Sequence, residues 1–396
     1  MRDSWRRGLH RFCNWVYFDH ITVVFPERLP SRGPVLYLAL HRNGAVDGFV
    51  YNCLLRETTF LISTQLRRNF LARLFFTGIA VTRGKDEGDR SANAGALQEC
   101  RELLAREGSL CIFPEGTSSL GPRHLPFKSG AIQVILDCLD AGLPIQVIPL
   151  GIHYDGPCTF RSGVEVVVGP PISIELPPGL TGLGRLKEMK RRVQGALESV
   201  GVNVATAQDQ ELIEGVASIG APRSYFKTLK RLENSFPGEI RQAANVLESA
   251  SANQRLLRRQ NVPLFSTSPI LETALLLLLS PIVLAAIILN LPPFVAAAWA
   301  GRKFPDDRNV ISLWRILVGV PLLILWIVLI AILSVLFAVP FGLASYVVLT
   351  FLGLKLYSRV RMLAVATFNT LRCPAVRAPF LDFQKMVAAH FSDETV

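Results

Sequence analysis

Residues 316–354, from Ile316 to Leu354, contain no charged side chain. A helix needs roughly 20 apolar residues to cross the hydrocarbon core of a bilayer. The run is therefore long enough for two spans, with Pro340-Phe341-Gly342 placed to turn between them. Residues 269–300 form a second apolar block, charged only at Glu272 and interrupted by Pro281 and Pro292-Pro293. That block is long for one span and short for two. Arg302, Lys303 and Arg308 lie between the blocks, and Lys355, Arg359, Arg361, Arg372 and Arg377 follow them. Segments flanking spans on the cytoplasmic side favour Lys and Arg. Three simple spans would carry the basic tail across the membrane. A re-entrant first block followed by a two-span hairpin keeps every basic segment on one side, and that topology is expected.

The rest of the composition agrees with a bilayer partner. Lys and Arg number 42 against 31 Asp and Glu, a net charge of +11. Such an excess favours anionic partners: nucleic acid, an acidic membrane surface or phosphorylated substrates. A mean hydropathy of +0.34 argues against a nucleic-acid binder. The seven cysteines include no Cys-x-x-Cys pair, so reduced, structural thiols are expected, as on a cytosolic face. No Cys/His spacing suits a metal, and none is expected. The first 20 residues lack the continuous apolar core of a secretory signal. Trp5, Leu9, Phe12 and Val16 recur at helical spacing with Arg6, Arg7 and Arg11 between them. This describes an amphipathic helix, either lying in the membrane interface or packed on its own domain.

Between residues 21 and 175, short apolar runs alternate with helical segments. Strands are expected at 35–40, 78–82, 109–113, 146–152 and 164–168, and helices at 45–56, 91–107 and 128–141. Such alternation implies an α/β unit with a largely parallel sheet between helices. The expected division is an N-terminal helix (1–20), a catalytic domain (21–200), a helical connector (201–265), the membrane region (266–356) and a basic tail (357–396). Three of the runs end at His41, Arg83 and Pro114-Glu115-Gly116. Open parallel sheets collect their ligands at such strand ends.

His41 and Asp47 suit one kind of chemistry. A neutral imidazole can take a proton from an attacking hydroxyl, and a carboxylate on its far nitrogen fixes the tautomer. Six residues apart on one helix, the two would be about 240° apart around the axis. His41 is therefore expected in the loop after the strand, with Asp47 in the first helical turn and Gly44 easing the bend.

Four blocks then carry a family likeness: His41 to Asp47, Ile79-Ala80-Val81-Thr82-Arg83, Phe113-Pro114-Glu115-Gly116-Thr117 with Phe127-Lys128-Ser129-Gly130, and Val147-Ile148-Pro149-Leu150-Gly151. In this order they resemble the glycerolipid acyltransferase superfamily, which acylates glycerol 3-phosphate or 1-acylglycerol 3-phosphate. The spacing of His41, Asn43 and Asp47 resembles its fungal glycerol-3-phosphate/dihydroxyacetone-phosphate branch. The resemblance implies a mixed sheet flanked by helices, with the connector and membrane helices appended. It implies His41 as general base and Asp47 as its orienting partner. Substrate contacts would come from Asn43, Arg83, Glu115, Gly116, Thr117 and Lys128, with Arg83 on the acceptor phosphate and Pro149 beside the acyl chain. The co-substrate would be acyl-CoA or acyl-carrier protein, with no other cofactor, and the catalytic domain would face the cytoplasm. Two departures stand out. Five residues separate the histidine from the aspartate where four are usual, and Ser118 replaces a common arginine, for which Arg123 or Lys128 could compensate. A lysophospholipid or other non-phosphate alcohol as acceptor is the alternative within the class. A catalytically silent lipid-binding protein is the alternative outside it, and one with no physical need for His41, Asp47, Glu115 and Gly116 together.

Overall fold

A computed structural model describes residues 4–64, 70–82, 93–220, 224–251, 254–259 and 262–392. The numbered strands β1 (Phe18–Val24), β2 (Val35–Ala39), β3 (Thr58–Ser63), β4 (Ile79–Val81), β5 (Ser109–Ile112), β6 (Gln146–Tyr154) and β7 (Ser162–Val168) form one sheet in the order β1-β7-β6-β2-β5-β3-β4. β2 is buried throughout. Val35, Tyr37 and Ala39 enter one core while Leu36 and Leu38 enter the other. Period-two alternation sends successive side chains to opposite faces, and a strand apolar on both belongs inside a sheet covered on both sides. The five strands from β6 to β4 are parallel. β7 runs antiparallel to β6 and parallel to β1. The ends of β2 and β5 therefore share one edge with the end of β6.

Helices α1 (Ser4–Tyr17), α2 (Val46–Leu54) and α3 (Phe70–Phe75) lie on the first face; α4 (Asn93–Ala105), α5 (Gly130–Asp140) and α6 (Gly182–Val200) lie on the second. α1 is bound to the domain: Asn14 donates to Phe49 O at 2.9 Å, and the His10 ring meets Phe75 O at 2.8 Å. It stops at Tyr17, three residues short of the expected boundary, and Phe18 begins β1. β1 and β3 were not anticipated from sequence. Asp19 and His20 interrupt the first, and Thr58-Thr59 dilute the second, so neither has the unbroken apolar run that marks β2.

The connector contains α7 (Ala207–Gly220), α8 (Tyr225–Asn234), α9 (Gly238–Ser251) and the short strands β8 (Arg258–Arg259) and β9 (Val262–Pro263). Glu165, the one charge within β7, accepts from the amides of Tyr225 and Phe226 at 2.9 and 2.7 Å. It thereby satisfies orphan donors at the start of α8.

The apolar blocks form α10 (Pro269–Leu289), α11 (Leu291–Lys303), α12 (Ile311–Leu336) and α13 (Gly342–Arg372). Among the described residues, three helices are long and apolar enough to cross a membrane: Pro269–Leu289, Arg308–Leu336 and Gly342–Arg372. α10 runs antiparallel to α13, since Ser266 N bonds Thr370 while Asn290 bonds Thr350 and accepts from Tyr346. α11 runs antiparallel to α12: Trp326 Nε1 donates to Leu289 O, and Gly301 lies against Arg315. The chain thus reverses at Asn290. The start of α12 belongs to the sheet domain, because Leu313, Ile316, Leu317 and Val320 complete the core beneath α1 and α2. Burying each such side chain contributes about 1.5–3 kcal/mol, so domain and hairpin form one packed unit. The segment read as a tail is the end of α13 followed by α14 (Pro374–Ser392), whose Phe383 and Val387 enter the connector core.

Candidate active site

β2 delivers His41 to the loop at the sheet edge, and α2 brings Asp47 back toward it in its first turn. His41 Nδ1 lies 2.9 Å from Asp47 Oδ2. The same carboxylate accepts from the amides of Arg42 at 2.7 Å and Asn43 at 2.9 Å, and from the Tyr154 hydroxyl at 2.6 Å. Asp47 is fully buried, so these donors occupy its lone pairs and fix its direction. Phe113 stacks on the imidazole, with ring centroids 4.3 Å apart. With Nδ1 committed to Asp47, Nε2 is the ring nitrogen left for a substrate.

Phe113 to Ser118 form the facing loop. Gly116 has a φ of +70°, and its amide closes a turn onto Phe113 O at 2.9 Å. The Lys128 side chain lies across Gly116, where a Cβ would come within 2.5 Å of Nζ. The Thr117 and Ser118 amides have no hydrogen-bond partner among the described residues. Such free amides can receive a phosphate oxygen or an oxyanion. Ser119 N donates to His41 O at 3.1 Å and joins the two loops.

Both loops open on a cleft of about 1300 Å³ lined by His41, Gly44, Gly116, Thr117 and Ser118. Arg6, Arg7 and Arg11 of α1 line it too, as do Asp306 and Asp307 from the loop between α11 and α12. Arg83 lies outside the described residues. Two residues expected at the substrate are placed differently. Asn43 is fully buried and donates to Pro157 O at 2.9 Å, so it holds a neighbouring loop. Glu115 is 1% exposed and lies beneath the cleft, with His124 Nδ1 3.8 Å from its Oε1. Burial pushes the Glu115 carboxyl up to about 8, with Arg42 pulling partly back. Burial likewise pushes His124 down to about 3. Burial thus favours the neutral form of both. Arg123 turns to Val204 O and Pro149 packs on Gly169, neither of them on the cleft wall.

Asn309 was not anticipated from sequence. It follows the first apolar block and carries no motif, yet its Nδ2 donates to Ser118 O at 2.8 Å and lies 3.0 Å from Ser118 Oγ. Its own carbonyl approaches Gly44 so closely that a Cβ there would stand 2.8 Å away. Gly44 has a φ of +58°, so conformation and space both require glycine. Asn309 therefore ties the segment between α11 and α12 to both motif loops. Asn309→Ala is expected to lower kcat about tenfold with little change in the KM for the acyl donor, since a lost hydrogen bond of this kind is worth about 1–2 kcal/mol. Ser118→Ala, which removes only the hydroxyl partner, should lose less. Steady-state kinetics of both variants checks this, and an unchanged kcat in Asn309→Ala removes the positioning role.

A histidine oriented by a buried carboxylate, beside free amides at parallel strand ends, defines a domain built to activate a hydroxyl next to an anionic or polarised group. Residues 20–153, which hold β2 to β5, most of β1 and β6 and both motif loops, match the Acyltransferase family model. The chain is 31% identical to a 1-acyl-sn-glycerol-3-phosphate acyltransferase of Chlamydomonas reinhardtii, over 42% of this chain and 51% of that one. It is 33% identical to glycerol-3-phosphate O-acyltransferase 1 of Saccharomyces cerevisiae, over 30% of this chain and 16% of that one. It thus spans about half the length of the algal relative and far less of the yeast one. A solved structure of the 1-acyl-sn-glycerophosphate acyltransferase PlsC from Thermotoga maritima matches 50% of this chain and 83% of its own, with 21% identity and a TM-score of 0.34.

Proposed function

We propose that this is a membrane-bound O-acyltransferase that moves a fatty acyl group from acyl-CoA or acyl-carrier protein to glycerol 3-phosphate or its 1-acyl product, in phospholipid synthesis. The observation that carries this reading is the His41–Asp47 pair facing the Thr117 and Ser118 amides across one cleft. Nε2 of His41 takes the proton of the acceptor hydroxyl as its oxygen attacks the thioester carbonyl. Asp47 steadies the imidazolium, which returns the proton to the departing thiolate. The loop amides receive the negative charge that builds on the carbonyl oxygen. Transfer is direct, with no acyl-enzyme. Arg83 is assigned the acceptor phosphate, a task suited to a bidentate guanidinium. Lys128 and the arginines of α1 add positive charge for the remaining phosphates. The apolar helices anchor the chain with α12 and α13 as a spanning hairpin, α10 and α11 as a re-entrant pair, and the catalytic domain on the cytoplasmic face.

Asp306 and Asp307 on the cleft wall, next to Ser118 in place of an arginine, favour a second reading: a zwitterionic lysophospholipid acceptor. Purified protein given labelled acyl-CoA with glycerol 3-phosphate, lysophosphatidic acid or lysophosphatidylcholine separates the two. Product from either of the first two acceptors is expected. Product from lysophosphatidylcholine alone selects the second reading, and no product from any of the three overturns both.

A further inference from the structure

A second cavity, of about 460 Å³, lies between the four apolar helices and the loop joining β6 to β7. It shares no lining residue with the His41 cleft. Arg315, Tyr357 and Arg361 line it, together with the apolar Ile287, Phe294 and Leu323, and no carboxylate does. Leu323 lies eight residues beyond Arg315 on α12, about 12 Å along the axis at 1.5 Å per residue. The cavity is cationic next to the catalytic domain and apolar within the bundle.

Neither guanidinium has a carboxylate partner among the described residues. Arg315 donates to Cys158 O at 2.5 Å, and the Arg361 guanidinium makes no hydrogen bond or ion pair among the described residues. An arginine set among apolar helices is costly, and such residues mark ligand or ion sites. Basic pockets between membrane helices on the cytoplasmic side suit anionic lipid headgroups. We propose that this cavity binds an anionic phospholipid, with its phosphate between Arg315 and Arg361 and one acyl chain laid among α10, α11 and α12. A neutral lipid would leave both charges unpaired, and a free phosphate would leave the apolar end unfilled. The cavity wall at Cys158–Phe160 follows Pro157, whose carbonyl accepts from Asn43 and Ser312. The lipid therefore sits one loop away from the His41–Asp47 pair.

Native mass spectrometry of the delipidated full chain in neutral detergent tests this, with phosphatidylglycerol or phosphatidylcholine of matched chains added. Phosphatidylglycerol should be retained at least tenfold more tightly, one molecule per chain, and the Arg315→Gln/Arg361→Gln variant should lose that preference. Equal retention of the two lipids, or an unchanged preference in the double variant, overturns the proposal. Displacement by inorganic phosphate alone overturns it too, by assigning the arginines to a free anion. Should the double variant melt below the wild type, Leu323→Trp decides. It keeps both arginines and narrows the apolar end, so it must weaken phosphatidylglycerol retention, and unchanged retention overturns the lipid assignment. Retention is measured without turnover and is independent of which acceptor the enzyme uses.

Discussion

His41→Ala is expected to lower acyl transfer by about 10²–10⁴-fold, the usual contribution of a positioned general base, with little change in melting temperature. Structure makes that separation available. Among the described residues, Asp47 is the imidazole's one side-chain hydrogen-bond partner, and its ring is partly open to the cleft. Asp47→Asn should cost activity on a similar scale for a different reason, and it should also destabilise. The carboxylate accepts from His41, Arg42, Asn43 and Tyr154 together. An amide offers one acceptor oxygen and sets an NH₂ against donors on its other side. Each buried donor left unpaired costs about 1–3 kcal/mol. Tyr154→Phe removes a single donor and should lose about tenfold in rate, within the range of one hydrogen bond to a charged group. Transfer of labelled acyl groups and thermal melting in detergent provide both readouts. Full activity in His41→Ala would remove the base assignment.

The strands that position this site were legible because their surroundings are simple. β2 and β5 are apolar at nearly every position and end abruptly in polar residues, which is what burial on two faces demands. The loop position of His41 followed from helical geometry alone, since a spacing of six cannot put two residues face to face on a helix. Sequence could not reveal which charges the fold buries. Glu115 belongs to a spelled motif, but its environment comes from His124 and Arg42, brought together by the turn. Asn309 has no local signature, because its meaning lies in Ser118 and Gly44, contributed by distant segments. Hydropathy also misleads at the start of α12. Ile316, Leu317 and Val320 count as membrane residues by composition, yet they face the core between the sheet and helices α1 and α2. An apolar side chain buried in protein and one buried in lipid leave the same mark in a sequence.

Glu115→Gln should flatten the fall in stability with rising pH. The carboxyl ordinarily titrates near 4.5, and burial in the folded state moves it up to about 8. Below pH 4.5 the folded and unfolded chains both hold the proton, and the folded state bears no penalty. Between 4.5 and 8 the unfolded chain releases its proton while the folded chain keeps it. The folded state then binds more protons, so stability falls as pH rises through that window. The ideal slope is about 1.4 kcal/mol per pH unit, an upper limit, and the pull of Arg42 toward the charged form is already contained in the folded value of about 8. The buried histidines slope the other way. His10 and His153 are lowered to about 4 and His124 to about 3, so each adds stability as pH rises toward 6.5. Those contributions are common to wild type and variant, and the difference between the two curves isolates Glu115. Melting temperatures in detergent should nearly coincide at pH 5, with the variant increasingly the more stable toward pH 8. Parallel curves across that range would mean that Glu115 is already ionised in the folded protein and paired with Arg42. In that case the substitution should destabilise at every pH by leaving the guanidinium buried without its counter-charge.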